Sequence, residues 1–103
     1  MKRVKRRYLA VQLDCDGVPA ERDFLDAVWA SLTRLFGEVG ASQSGLALIS
    51  FDVARKVAVV RVSLVCLPFL RAALAAVTSV AGLPVALHVL AVSGTLKALF
   101  SNF

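Results

Sequence analysis

From Ala72 to Leu96 the chain runs 25 residues without a Lys, Arg, Asp or Glu. No other stretch so restricts what the protein can fold into. A bilayer span needs about 20 apolar residues, so the run is long enough to cross a membrane. Its interior argues against that. Gly82, Leu83 and Pro84 interrupt it at the centre, and Thr78, Ser79, His88 and Ser93 dilute it. The pattern also changes at Gly82, as it does where a helix stops and a strand follows. Nor does the N-terminus read as a secretory signal. Tyr8 to Leu13 is too short for an apolar signal core, and Asp14 and Asp16 end it. No membrane span is expected, and the expected location is cytoplasmic.

The rest of the chain supplies the partners for that helix and strand. Arg7 to Asp14 reads as a strand, with Leu9, Val11 and Leu13 on one face and Tyr8, Ala10 and Gln12 on the other. Asp16, Gly17 and Pro19 form the turn after it. Glu21 to Phe36 is the clearest helix. At about 100° per residue, Phe24, Leu25, Val28, Trp29, Leu32, Leu35 and Phe36 fall within an arc of roughly 140°. Glu21 and Asp23 suit its positive end. Gly37 is placed to stop it, with a loop to Gln43. Leu46 to Asp52 and Val57 to Leu64 are two further strands, joined by a turn at Val53 to Lys56. The near-continuous apolar run broken only by Arg61 predicts a central strand covered on both faces. A second, very apolar helix begins at Pro68 and runs to Ala81. Val85 to Val92 is the fourth strand, and Leu96 to Phe100 begins a short terminal helix.

The order is β-α-β-β-α-β with a short C-terminal helix. This is the α+β, ferredoxin-like (RNA-recognition-motif-like) sandwich, with two helices on one face of a four-stranded antiparallel sheet. In that plan the first and third strands are central. The terminal helix or a partner must cover the other face. With 103 residues, a single domain, 1–103, is expected.

Charge narrows the function. Lys2, Arg3, Lys5, Arg6 and Arg7 are five of the 12 bases, so the remaining seven bases balance the seven acids and the whole excess sits at the start of the chain. A basic arm over residues 1–6 suits a polyanion, although a solubilising tail has the same composition. Catalytic parts are missing. There is one histidine, no recognisable nucleophile elbow and no cluster of acids. His88 reads as a packed or hydrogen-bonded strand histidine, and Asp14 and Asp16 as a solvated turn. Cys15 and Cys66 lack metal-ligand spacing. They read as two free buried thiols, with a single disulfide the alternative. Stacking on RNA would have only Tyr8 to use on the first and third strands, so charge and backbone contacts must carry any RNA binding. Ser93-Gly94-Thr95-Leu96-Lys97 can hold a phosphate at a helix start, and an ordinary helix cap with an exposed lysine explains the same residues.

Taken together, three stretches resemble the archaeal and eukaryotic ribonuclease P protein component 2 family. Arg7-Tyr8-Leu9 opens the first strand after a basic start. Gly37-x-x-Gly40-Ala41 follows the first helix. Leu87-His88-Val89 and Ser93-Gly94-Thr95-Leu96-Lys97 close the domain, and Arg61 in an apolar third strand fits as well. The likeness runs in order from about Lys5 to Leu99. It implies a non-catalytic subunit that binds ribonuclease P RNA, with cleavage of the precursor-tRNA 5′ leader performed by the RNA and its Mg²⁺. It also implies a TIM-barrel-like protein partner and RNA contacts by Lys2, Arg3, Lys5, Arg6, Arg7, Tyr8, Arg61, Ser93, Gly94, Thr95 and Lys97. A homodimer is a further expectation. Ser63, Leu64 and Val65 depart from the basic residues that relatives often carry after the Arg61 position. The end at Phe103 resembles the archaeal form. A ferredoxin-like assembly domain that self-associates through its second helix, without RNA, is the competing reading.

Overall fold

The structure is a computed structural model and describes residues 5–101. Strand and helix follow from the alternation and periodicity already noted: β1 (Arg6–Asp14), α1 (Glu21–Ser42), β2 (Ala47–Asp52), β3 (Val57–Ser63), α2 (Leu67–Ala76), β4 (Ser79–Val80), β5 (Leu83–Pro84), β6 (Ala86–Ser93) and α3 (Leu96–Ser101). The four long strands form one antiparallel sheet in the order β2-β3-β1-β6. This is the ferredoxin-like order, with β1 and β3 central as the sequence predicts.

Alternation decides what each face does. Leu9, Val11 and Leu13 of β1 and Ala58, Val60 and Val62 of β3 join Phe24 and Val28 of α1 and Leu70 and Leu74 of α2 in the main core. Each Leu, Val or Phe among them, fully buried, contributes roughly 1.5–3 kcal/mol. On the other face Ala10, Val57 and Val59 meet Leu99 of α3, which is fully buried. The short terminal helix thus takes the role of cover for the second face. Leu99→Ala is expected to lower stability by roughly 2 kcal/mol and to strip the α3 amides of exchange protection, since a six-residue end helix detaches locally. Hydrogen exchange on the intact chain checks this. Protection of α3 equal to the wild type would show that Leu99 does not hold it.

Several expectations need correction. The loop predicted over residues 37–43 is helical, and α1 resumes after Gly37 and runs to Ser42. Gly37 does break the helix, at φ 80° and ψ 167°, a conformation nearly closed to side chains. The chain turns helical again because Ala41 is buried against Leu32 and Ala73. A Cβ at Gly37 would meet nothing within 4 Å, so Gly37→Ala tests the backbone alone. It is expected to cost about 1–3 kcal/mol in urea unfolding. A neutral result would mean that the break relaxes without strain.

The second helix ends at Ala76, five residues early. The β-branched residues Val77, Thr78 and Val80 favour extended backbone there. A two-residue hairpin follows, pairing Val80 with Leu83. Both loop residues have positive φ, Ala81 at 51° and Gly82 at 82°, as a type I′ turn requires. The third strand stops at Ser63, before a 3-10 turn at Leu64–Cys66. The apolar arc of α1 is rotated from the one predicted. Ser31 is buried and donates to the Ala73 carbonyl at 2.8 Å, while Trp29 and Leu35 are exposed. Cys15 and Cys66 are unbridged and only half-buried. His88 is exposed rather than packed, with Nε2 3.9 Å from Asp14 Oδ2. Among the described residues, no helix is long and apolar enough to cross a membrane.

Candidate nucleic-acid interface

Antiparallel pairing brings the start of β1 beside the ends of β3 and β6. Leu64 N donates to the Lys5 carbonyl at 2.8 Å, and Arg6 pairs with Ser63. The strand therefore begins one residue earlier than predicted, and the last part of the basic arm is fixed to the sheet. Lys2 and Arg3, named with it, lie outside the described residues.

Register then lines up one row across all four strands: Ala47, Arg61, Tyr8 and Ser93. Arg61 and Tyr8, 53 positions apart in the sequence, are direct cross-strand partners. Arg7 Nη1 donates to the Arg6 carbonyl at 2.9 Å. The same nitrogen lies 3.5 Å from where a Cβ on Gly94 would stand. That is ordinary contact distance, so the Arg7 guanidinium packs beside the Ser-Gly-Thr turn. Thr95 caps α3. Its Oγ1 accepts from Ala98 N at 3.2 Å, and Ser93 Oγ accepts from Thr95 N at 3.4 Å. Lys97 is exposed in the first turn of α3. The cap hydroxyls are thus occupied by the chain's own amides, and the motif contributes mainly by holding α3 and Lys97 in place.

The structure so gathers Lys5, Arg6, Arg7, Tyr8, Arg61 and the Ser93–Lys97 turn at one end of the sheet. Among the described residues none of Lys5, Arg6, Arg7, Arg61 and Lys97 pairs with a carboxylate. The acids lie mostly at the opposite end. Asp14 closes β1 and Asp16 follows it, Glu21 and Asp23 open α1 with Asp26 in its second turn, and Asp52 closes β2. Glu38, exposed late in α1, is the exception, and it belongs to the helical layer. Such separation builds a one-signed field at the basic end. Tyr8 is half-buried against the second core cluster, so its ring is partly committed to packing.

Arg61 is the residue whose situation the sequence did not reveal. It is half-buried on β3, and its Nε is fully buried with no hydrogen-bond partner. A buried donor left unsatisfied costs about 1–3 kcal/mol, more when charged. The available signal was the alternation that puts residue 61 on the face of Tyr8.

Other chemistry is sparse. Among the described residues no three of His, Cys, Asp and Glu gather as a metal site. A cleft of about 250 Å³ between α1 and the end of α2 is lined by Ala27, Ser31, Arg34 and Thr78 among others. It contains no pairing of nucleophile and base.

Fold and charge define a class: a small α+β sandwich of the ferredoxin-like plan with a basic end to its sheet. The profile of the Rpp14/Pop5 family matches residues 7–103. The ribonuclease P protein component 2 of Methanosarcina mazei is 33% identical over 98% of this chain and 85% of its own length. That of Pyrococcus horikoshii is 33% identical over 98% and 84%. In the solved structure of yeast ribonuclease MRP, one chain superposes with a TM-score of 0.73 at 14% identity, over 93% of this chain and 79% of that one. It supports the fold. The chain belongs to the Rpp14/Pop5 family.

Proposed function

We propose that this chain is a non-catalytic subunit of ribonuclease P that binds and supports the RNA which removes the 5′ leader of precursor tRNA. The observation that carries this is the set of bases at one end of the sheet with no carboxylate among their partners. A phosphate backbone satisfies such a set, and contacts of this kind position an RNA without reading its sequence. Lys2 and Arg3 extend the same charge along the chain. Mg²⁺ belongs with the RNA in this reading. Precursor tRNA meets the chain only through the assembled particle, in the cytoplasm.

A protein partner, proposed as the TIM-barrel-like subunit, would cover apolar residues that the fold leaves out. Leu35 and Val39 of α1, and Val65 and Phe69 near the start of α2, are exposed. The competing view, self-association through α2, has less to work with than the sequence suggests. Leu70, Ala73 and Leu74 are already buried in the chain's own core.

The test is reconstitution. The chain, its host's ribonuclease P RNA and the TIM-barrel-like subunit are mixed, and precursor-tRNA cleavage is followed at moderate Mg²⁺. Cleavage that needs all three supports the proposal. Cleavage indifferent to this chain, with both proteins folded and bound to each other, would leave an assembly domain as the better reading.

A further inference from the structure

Alternation along β1 puts Arg6 on the same face as Tyr8, which is the face of Arg61. Register sets Arg6 opposite Ser63 and Arg61 opposite Tyr8. Arg6 and Arg61 are therefore diagonal neighbours, a relation that places residues about 7–8 Å apart, within reach of long side chains. Neither pairs with a carboxylate among the described residues. Two like charges so placed repel unless an anion lies between them. Arg61 adds a second sign of something missing, a buried Nε with no acceptor. Its neighbours in the row, Ala47 and Tyr8, bring no negative charge.

We propose that Arg61 and Arg6 form a clamp for one phosphodiester of RNA. Arg61 supplies a half-buried guanidinium fork whose Nε is already out of water, and Arg6 supplies an exposed second charge. The inference rests on the RNA-binding reading and sharpens it, from a basic end of the sheet to one subsite. A guanidinium matches two phosphate oxygens at once, which an ammonium cannot do. A phosphate chain fits better than a lone protein carboxylate because Lys5, Arg7 and Lys97 keep the same end of the sheet positive. The orphaned donor implies that the free protein holds this fork at some expense of its own stability.

Two variants of the full chain test the clamp, with the host's ribonuclease P RNA as probe. Arg61→Met keeps an unbranched side chain that reaches about as far as the buried Nε and removes every donor. Its thermal midpoint should equal or exceed that of the wild type, while RNA affinity falls about ten- to hundredfold. Arg61→Lys keeps the charge without the fork. It should retain most of the salt dependence and still lose about tenfold in affinity. Affinity unchanged in both variants overturns the clamp and leaves the RNA reading standing. A wild-type chain that does not bind the RNA overturns both. A lower midpoint for Arg61→Met marks a structural arginine and sinks the proposal. So does a loss of binding to the TIM-barrel-like subunit with RNA affinity intact, since the fork would then serve a carboxylate.

Discussion

Replacing Lys5, Arg6 and Arg7 together with glutamine is expected to weaken binding to ribonuclease P RNA about 100- to 500-fold at 0.1 M salt. Each phosphate contact adds about 0.7–0.9 to the slope of log affinity against log salt. Three lost contacts flatten the slope by about 2–2.7, and over the decade from 1 M to 0.1 M that slope is the loss in affinity. Substitution is the right instrument, because truncation would damage the sheet. The Lys5 carbonyl accepts a hydrogen bond from Leu64, and Arg6 pairs with Ser63. Both are backbone interactions that glutamine keeps. Titrations at four or five salt concentrations measure the slope directly. A slope equal to the wild type would remove these side chains from the interface, whatever happened to affinity at one salt.

The largest expected loss of stability comes from Phe24→Ala. Phe24 is fully buried between sheet and helices, and its ring lies 5.7 Å from that of Phe51, tilted by 57°. Removing it costs about 3–5 kcal/mol, in lost transfer energy and a cavity the sheet cannot close. Domains of this size hold about 5–15 kcal/mol in all, so much of the folded margin disappears. The thermal midpoint should fall by about 12 °C or more. Trp29→Ala is the informative contrast. Trp29 is the larger side chain but is 37% exposed, and its loss should cost clearly less. Equal losses in urea unfolding would mean that the rotated face of α1 is wrong.

That rotation marks the limit of what the sequence made legible. Periodicity located α1 and identified an apolar side, and the core does take Phe24, Val28 and Leu32 from it. It placed Trp29 and Leu35 inside as well. A helical wheel counts apolar residues without knowing where the neighbouring helix stands. Here α2 approaches on the Ser31 side, where a small hydroxyl can reach the Ala73 carbonyl. The sheet was readable for a simpler reason. Alternation along β1 and the apolar run of β3 state directly which strands are central. The end of α2 was lost because Val77 to Val80 carries no charge, glycine or proline, so nothing before Gly82 forces a stop. Its β-branched residues favour extended backbone, and that is a weaker signal than a breaker. Of the basic end, the sequence showed the first residues and the Ser93–Lys97 turn as separate features. Their meeting with Arg61 depends on pairings across some 50 and 80 positions, and nothing local encodes those.

The same long pairings set a timetable for the chain's birth. β1 is made first, yet it sits in the middle of the sheet, bonded to β3 on one side and β6 on the other. Leu9 has Val60 and Val92 as its strand partners. At a synthesis rate of about 5–20 residues per second, Leu9 waits roughly 4–17 seconds for Val92 to be made. Until then the second edge of the central strand has nothing to pair with. Closure of the sheet therefore waits for β6, and the earliest strand is the last to have both of its edges paired.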